Sequence, residues 1–259
     1  HENMALSLGT SIVWGLHSFQ HSLSPYYRTM AGCLPGSYYY ESVLRAGSST
    51  IKWFTDSIGC NEPVSSRSQH KSPESILEKA SEAIKPGCDG LLTIPYWKGG
   101  MMPFDDPSSR GMTVGWSDYH TKAHLYRSIL EGIAFELRLV LEGYRSTLDI
   151  YPQIFRAGGG GASSKLWCQI VSDVTGVNVS VCDDVESTAL GAAMLTAWGL
   201  GYFKNLEDAS KAMCGKSINY TANPENHDTY SNLYNSFYKK LYPLMRDCLN
   251  DIGKFALQQ

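Results

Sequence analysis

The sequence predicts an α/β fold in which a mixed sheet is flanked by helices. Three observations carry that prediction. The apolar residues Ile150, Ile154 and Phe155 lead into Arg156-Ala157-Gly158-Gly159-Gly160-Gly161-Ala162-Ser163-Ser164 and then into Leu166, Ile170, Val171 and Val174, which reads as strand, glycine turn and helix. Two β-prone arms between Met4 and Trp14 flank Gly9-Thr10, as in a hairpin. Ala123, Ile129, Leu130, Ile133, Ala134, Leu137, Val140 and Leu141 give residues 120–144 the broad apolar face of a long helix.

The glycine turn organises the rest. Four consecutive glycines let a backbone pass close to a ligand, because no Cβ stands in the way. The helix after it is expected to open with unpaired N–H groups and a positive dipole end, which suits a phosphate or the ribose-phosphate side of a nucleotide. A flexible surface turn is the plain alternative. At the hairpin tip, Gly9 permits a tight turn and Thr10 adds a hydroxyl beside exposed N–H groups, a combination that holds phosphate oxygens or merely closes a hairpin.

Composition limits the choices. A chain of 259 residues buries a large core as one big domain or two small ones, and 43% hydrophobic with 18% charged residues is the balance of a folded protein. The net charge is −3, from 22 basic and 25 acidic residues, so nothing draws the chain to nucleic acid or an anionic membrane. Seven scattered cysteines without a C-x-x-C pair predict reduced thiols in a cytoplasmic compartment and no zinc site. No apolar run reaches the ~18 residues that span a membrane. The opening His1-Glu2-Asn3-Met4 is neither a signal peptide nor a normal start, so further sequence is expected upstream.

In chain order, Pro35-Gly36 marks a turn. Val43, Leu44, Ile51 and Phe54 then fit helical spacing, with Gly47 inside the pattern at a cost of ~1 kcal/mol relative to Ala. Close packing of a neighbouring helix explains such a glycine, and close approach of a ligand is the second reading. Residues 60–71 read as a polar loop. Ser72-Pro73-Glu74 starts a helix with a serine cap, a first-turn proline and an acid at the positive end, running through Ile76, Leu77, Ala80 and Ile84 to Pro86-Gly87. Residues 90–95 form a short buried strand and 96–111 a long irregular loop. Asp105 and Asp106 in that loop read as turn chemistry before they read as catalysts. His120 and His124 have a zinc-binding spacing but lack the glutamate of H-E-x-x-H. Arg127 and Glu131 read as a surface ion pair. Residues 177–181 form a strand, 183–187 a polar loop, and 188–198 a helix whose Gly191-Ala192-Ala193 is expected to pack against the glycine turn or its ligand. Tyr230, Leu233, Tyr234, Phe237, Tyr238, Leu241, Tyr242 and Met245 predict a core-covering helix interrupted by Pro243. An exposed tyrosine-rich surface could pair chains into a homodimer.

Three nucleotide classes compete. Gly215-Lys216-Ser217 lacks the first Walker A glycine, since Ser210 stands there. A dinucleotide fingerprint starts at Gly158 or Gly159, but Ser163 and Ser164 replace its third glycine; Asp183 and Asp184 after the next strand leave an NAD-dependent dehydrogenase as an alternative. An actin-like ATPase (ribonuclease H-like) domain needs a phosphate hairpin and a later strand–glycine turn–helix for the adenosine. This chain offers both in that order.

The run from Gly159 to Trp167, then Asp173 and Gly176, then Glu186-Ser187-Thr188-Ala189-Leu190-Gly191-Ala192-Ala193 resembles the C-terminal domain of FGGY carbohydrate kinases. Ser7-Leu8-Gly9-Thr10-Ser11, Asp89-Gly90-Leu91-Leu92, Asp106-Pro107 with Arg110-Gly111, and the tyrosine-rich tail match as well, so the resemblance covers nearly the whole chain and is most similar to xylulokinase-type members. It implies that residues 1–259 are the nucleotide-binding domain of an ATP- and Mg2+-dependent sugar kinase that phosphorylates a pentulose such as xylulose or a related polyol. It also implies that Gly9 and Thr10 bind the terminal phosphates, that Gly160 and Ser164 with Gly161 hold the adenosine, and that Gly47 and Lys52 line the nucleotide pocket. No catalytic residue and no metal ligand is expected in this chain. The base and most sugar contacts belong to an N-terminal domain upstream of His1, so this chain alone is expected to phosphorylate nothing. One departure stands out: where the family carries Gly-Glu-Arg-x-Pro, this chain has Gly99-Gly100-Met101-Met102-Pro103. A non-catalytic ATP-binding relative with a regulatory role is therefore the second alternative.

Overall fold

A computed structural model describes residues 3–59, 73–182 and 187–258. The main sheet begins with β1 (Asn3–Leu8) and β2 (Ile12–Ser18), joined by the three residues Gly9, Thr10 and Ser11 as an antiparallel hairpin. Along β1 the side chains alternate, and Met4, Leu6 and Leu8 all point into the core, the two-residue period of a half-buried strand. β3 (Arg28–Ala31) and β4 (Tyr38–Leu44) extend the sheet antiparallel beyond β2. On the other side of β1 lie β7 (Ile154–Gly158) and β8 (Asn178–Cys182), both parallel, and then the antiparallel β9 (Ser217–Tyr220). The order β3-β4-β2-β1-β7-β8-β9 makes the sheet mixed, as the sequence predicts. A separate two-stranded ribbon pairs β5 (Leu92–Ile94) with β6 (Met112–Val114).

The helices are α1 (Ser48–Phe54), α2 (Pro73–Glu82), α3 (Lys122–Leu148), α4 (Lys165–Thr175), α5 (Ser187–Gly199), α6 (Leu206–Met213), α7 (Pro224–Leu233) and α8 (Lys239–Leu257). α3 is the axis of the domain. Residues 126–137 are buried without a break, so this helix is enclosed on all sides rather than on one face. A Cβ on Gly132 would overlap the Thr93 carbonyl, so β5 lies directly against α3 at that point. At its C-terminal end, Tyr144 Oη donates to Tyr40 O at 3.1 Å and so reaches β4.

Several expectations need correction. Residues 41–54 are not one helix: Val43 and Leu44 belong to β4, where seven consecutive pairings with β2 prevail over the helical spacing. Gly47 is the N-cap of α1 rather than an interior residue. A Cβ there would lie 2.7 Å from Gly9 O and 2.8 Å from Thr10 O, so it is the hairpin tip, not a helix, that packs on it. α2 ends at Glu82, before Ile84. Gly191 has open space around it and no residue of α5 is buried; the contact with the glycine turn is made by Ser187, whose side chain a Cβ on Gly158 would overlap. The loop at 60–71, the Ser72 cap and Asp183 with Asp184 lie outside the described residues.

The tail also differs. Tyr230, Tyr234, Tyr238 and Tyr242 are buried, so the exposed tyrosine surface expected to pair chains is not found on it. Each hydroxyl instead donates to a carboxylate: Tyr230 to Glu131 at 2.7 Å, Tyr234 to Glu142 at 2.9 Å, Tyr238 to Glu136 at 2.8 Å and Tyr242 to Asp106 at 2.7 Å. The interruption is a single π-turn at Tyr234–Tyr238, not Pro243, which lies inside α8. Pro243 is the fifth residue of α8, so only the hydrogen bond to its first carbonyl is lost. Asp106 ties the loop to the tail, accepting from Tyr242 and Arg246.

Candidate functional site

The parallel register of β1 with β7 pairs Ser7 with Gly158, which sets the two glycine-bearing turns side by side. Gly159 sits at φ 85, a left-handed conformation that glycine adopts without a Cβ penalty. A Cβ there would be 3.1 Å from Leu8 O and 3.3 Å from Gly9 N. Gly161 is as crowded, with Leu8 O 2.8 Å and the Trp167 ring 2.6 Å from where its Cβ would be. The hairpin tip is fixed from the other side by α1: Ser48 N donates to Gly9 O at 2.8 Å and Ser49 N to Thr10 O at 3.3 Å.

Beside these turns opens a cleft of about 570 Å³, a size that suits a small organic ligand. Of the residues expected to bind nucleotide, Lys52, Gly160, Gly161 and Ser164 line it. Gly9, Thr10 and Gly47 lie next to it, behind Ser48. A Cβ on Gly160 would meet nothing within 4 Å, so this glycine borders the open space itself.

The start of α4 differs from expectation. Its N–H groups are not left for a phosphate: Ser164 Oγ accepts from Trp167 N at 3.0 Å, and Glu78 Oε1 accepts from Leu166 N at 3.2 Å and from Ser164 Oγ at 2.8 Å. A carboxylate from α2 therefore occupies the anion position at the helix end. Glu74 lines the same wall. An acid at Ser164 disfavours phosphate there and suits hydroxyl or amino donors. Glu78 thus makes the Ser164 end of the cleft acidic.

Glu74, Glu78, Tyr126 and Trp167 are lining residues that the functional reading of the sequence missed. The available signal was the four-residue spacing of Glu74 and Glu78, which puts both acids on one face of α2. Burial, followed by the charges of Glu78 and Glu74, holds the Tyr126 phenol well above its ordinary value, so it stays protonated. Cys168 is no nucleophile, because burial and then the Glu78 charge push its thiol up to about 12. Lys52 borders the cleft, but its ammonium pairs with Asp56 at 2.9 Å.

Away from the cleft, His120 Nε2 contacts Cys88 O at 3.2 Å and His124 Nδ1 accepts from Thr121 N at 3.2 Å, closing the capping box of α3. Both are structural. Arg127 and Glu131 are not at the surface. Their 2.8 Å pair is buried, and Glu131 also accepts from Tyr230 Oη and Gly87 N. The reason is that α3 is covered on the side where a surface helix would meet water.

Residues 4–200 match the model of the FGGY family of carbohydrate kinases, C-terminal domain. The chain is 32% identical over 243 residues to a xylulose kinase of Staphylococcus epidermidis, covering 94% of this chain and 44% of that protein. It is 31% identical over 219 residues to the xylulose kinase of Bacillus subtilis, covering 85% and 42% respectively. In structure it is similar to gluconate kinase from Lactobacillus acidophilus, with a TM-score of 0.82 at 20% identity over 97% of this chain and 49% of that one. The chain belongs to the FGGY family of carbohydrate kinases, and its fold is the actin-like ATPase (ribonuclease H-like) fold. It spans less than half the length of the curated relatives it matches.

Proposed function

We propose that residues 1–259 are the C-terminal, nucleotide-binding half of an ATP-dependent sugar kinase that transfers the γ-phosphate to a hydroxyl of a pentulose such as xylulose, or of a related sugar or polyol. The observation that supports this most is the β1–β7 register, which sets the Gly9-Thr10 turn beside the Gly159–Ser164 turn, whose Gly160, Gly161 and Ser164 line the cleft. Adenosine would lie by Gly160, Gly161 and Ser164, where Glu78 and Glu74 offer acceptors to ribose hydroxyls or a base amine. Phosphates would extend toward Gly9 and Thr10, with Gly47 holding the tip in place. Mg2+ would accompany the phosphates. Among the described residues no three His, Cys, Asp or Glu side chains converge on a metal position, and no ligand set is assigned to this chain.

Phosphoryl transfer depends on positioning and charge stabilisation, plus a group that takes the acceptor proton. The base and most sugar contacts are proposed to come from a preceding half, and the location to be cytoplasmic. Among the described residues no helix is long and apolar enough to cross a membrane. Family membership sets the dehydrogenase reading aside. The Gly100-Met101-Met102-Pro103 departure favours, as a second reading, an ATP-binding relative without kinase activity.

Calorimetric titration of the chain with ATP and NAD separately tests the site: ATP is expected to bind, and preference for NAD overturns the reading. ADP release that depends strictly on a pentulose, measured on this chain, would sink the division of labour. A sugar panel on the full-length protein separates kinase from non-catalytic relative.

A further inference from the structure

Building on the nucleotide-site reading above, we propose that Lys98 supplies the positive charge that recognises the terminal phosphates of a nucleoside di- or triphosphate. Lys98 lies in the irregular loop after β5, far in sequence from both glycine turns. Its Nζ donates to Ser49 Oγ at 3.4 Å, and Ser49 Oγ donates to Thr10 O at 2.9 Å. The ammonium therefore stands two hydrogen bonds from the hairpin tip, at Ser49, the chain neighbour of the cleft-lining Ser48.

Three features fit this role. First, among the described residues no carboxylate pairs with Lys98, whereas the lysine that lines the cleft, Lys52, is held by Asp56 at 2.9 Å. Lys98 can exchange a neutral hydroxyl for a phosphate oxygen, an exchange from a neutral to a charge-assisted hydrogen bond. Second, both chain neighbours fix its backbone. The Trp97 ring packs against Trp53 at 5.6 Å, and a Cβ on Gly111 would lie 2.5 Å from the Trp97 ring. Gly99 sits at φ 83, where a Cβ would lie 2.7 Å from Pro107 O. The side chain, a compact charge on a flexible stem, is left exposed at a fixed place. Third, Glu78 accepts from Ser164 Oγ at 2.8 Å, so a carboxylate stands at the Ser164 end of the cleft. A cation at Ser49 and an acid at Ser164 orient a ligand whose tail is polyanionic and whose head is uncharged.

The test is titration of the whole chain with ATP, ADP and adenosine, for wild type, Lys98→Ala and Lys98→Arg. Lys98→Ala is expected to weaken ATP about tenfold, a loss that shrinks at high salt. Adenosine binding should not change, and Lys98→Arg should restore most of the ATP affinity. Unchanged ATP binding in Lys98→Ala, or equal losses for ATP and adenosine, overturns the proposal. If wild type binds both ligands and Lys98→Ala changes nothing, only this inference fails. If wild type binds neither, the nucleotide-site reading fails and takes this inference with it.

Discussion

Among the described residues two ion pairs place a cation four residues before a carboxylate: Arg127–Glu131 within α3, and Lys52–Asp56 running from α1 into the turn behind it. Their separations are nearly equal, 2.8 Å and 2.9 Å. Their surroundings are opposite. The Arg127 and Glu131 side chains are 7% and 1% exposed, those of Lys52 and Asp56 71% and 57%. Around the first pair, Arg127 also donates to Ser81 O and Tyr230 Oη, while Glu131 accepts from Gly87 N. One pair is a junction between α2, α3 and α7. The other is a solvated contact at a cleft mouth. Helical spacing selects partners, and the packing of other elements decides whether the partnership bears on stability.

The largest effect expected from this contrast is at the buried pair. Arg127→Ala leaves Glu131 enclosed without its cation and should cost about 3–5 kcal/mol in urea unfolding. Burial holds the Glu131 carboxyl above its ordinary value despite Arg127, so removing the cation pushes it further toward the neutral form. The double replacement Arg127→Met, Glu131→Leu should lose less than Arg127→Ala alone. A loss under 1 kcal/mol for Arg127→Ala would place this pair with its exposed counterpart.

Five residues further along α3, Glu136 extends the contrast to a buried acid that no cation pairs with among the described residues. Burial raises it from 4.5 to about 7, against the lowering effect of hydrogen bonds from Tyr96 and Tyr238. The folded state therefore holds this proton more tightly than the unfolded chain. Its contribution to stability is complete below about pH 4.5 and is lost as pH rises to about 7. Measured at pH 5 and pH 8, wild type should lose stability relative to Glu136→Gln, by at most about 3 kcal/mol. Parallel behaviour of the two proteins would contradict the assignment.

The glycine turn sharpens the division between fold and site. Gly161→Ala forces a methyl against Trp167 and Leu8 O and should destabilise by about 1–3 kcal/mol. Gly160→Ala meets no protein atom, so the melting temperature should hold while ATP affinity drops. Equal effects of the two on melting would show that Gly160 does not border open space. The smallest change is expected from Asp56→Ala at the exposed pair, with no resolvable shift in melting temperature.

Much of the architecture was legible in local pattern. The β1–β2 hairpin, the strand–turn–helix at 154–175 and the long α3 each follow from periodicity and turn residues over short windows. Residues 41–54 were not legible in that way, because Val43 and Leu44 satisfy both a helical and a strand period. Only β2, placed alongside, resolves the ambiguity. Ser164 was found but its partner was not: the phosphate expected at the start of α4 gives way to Glu78, which comes from a helix 86 residues earlier.

The sequence by itself determined the family and the order of the elements, because both rest on motifs and periodicities that stand in short runs of residues. Tertiary structure alone decided which charges are buried and which face the cleft. It enclosed Arg127 and Glu131, held the Lys52 ammonium on Asp56 and set Lys98 beside Ser49. The reason is physical. The energy of a charge depends on the dielectric and the partners around it, and those come from residues distant in the chain.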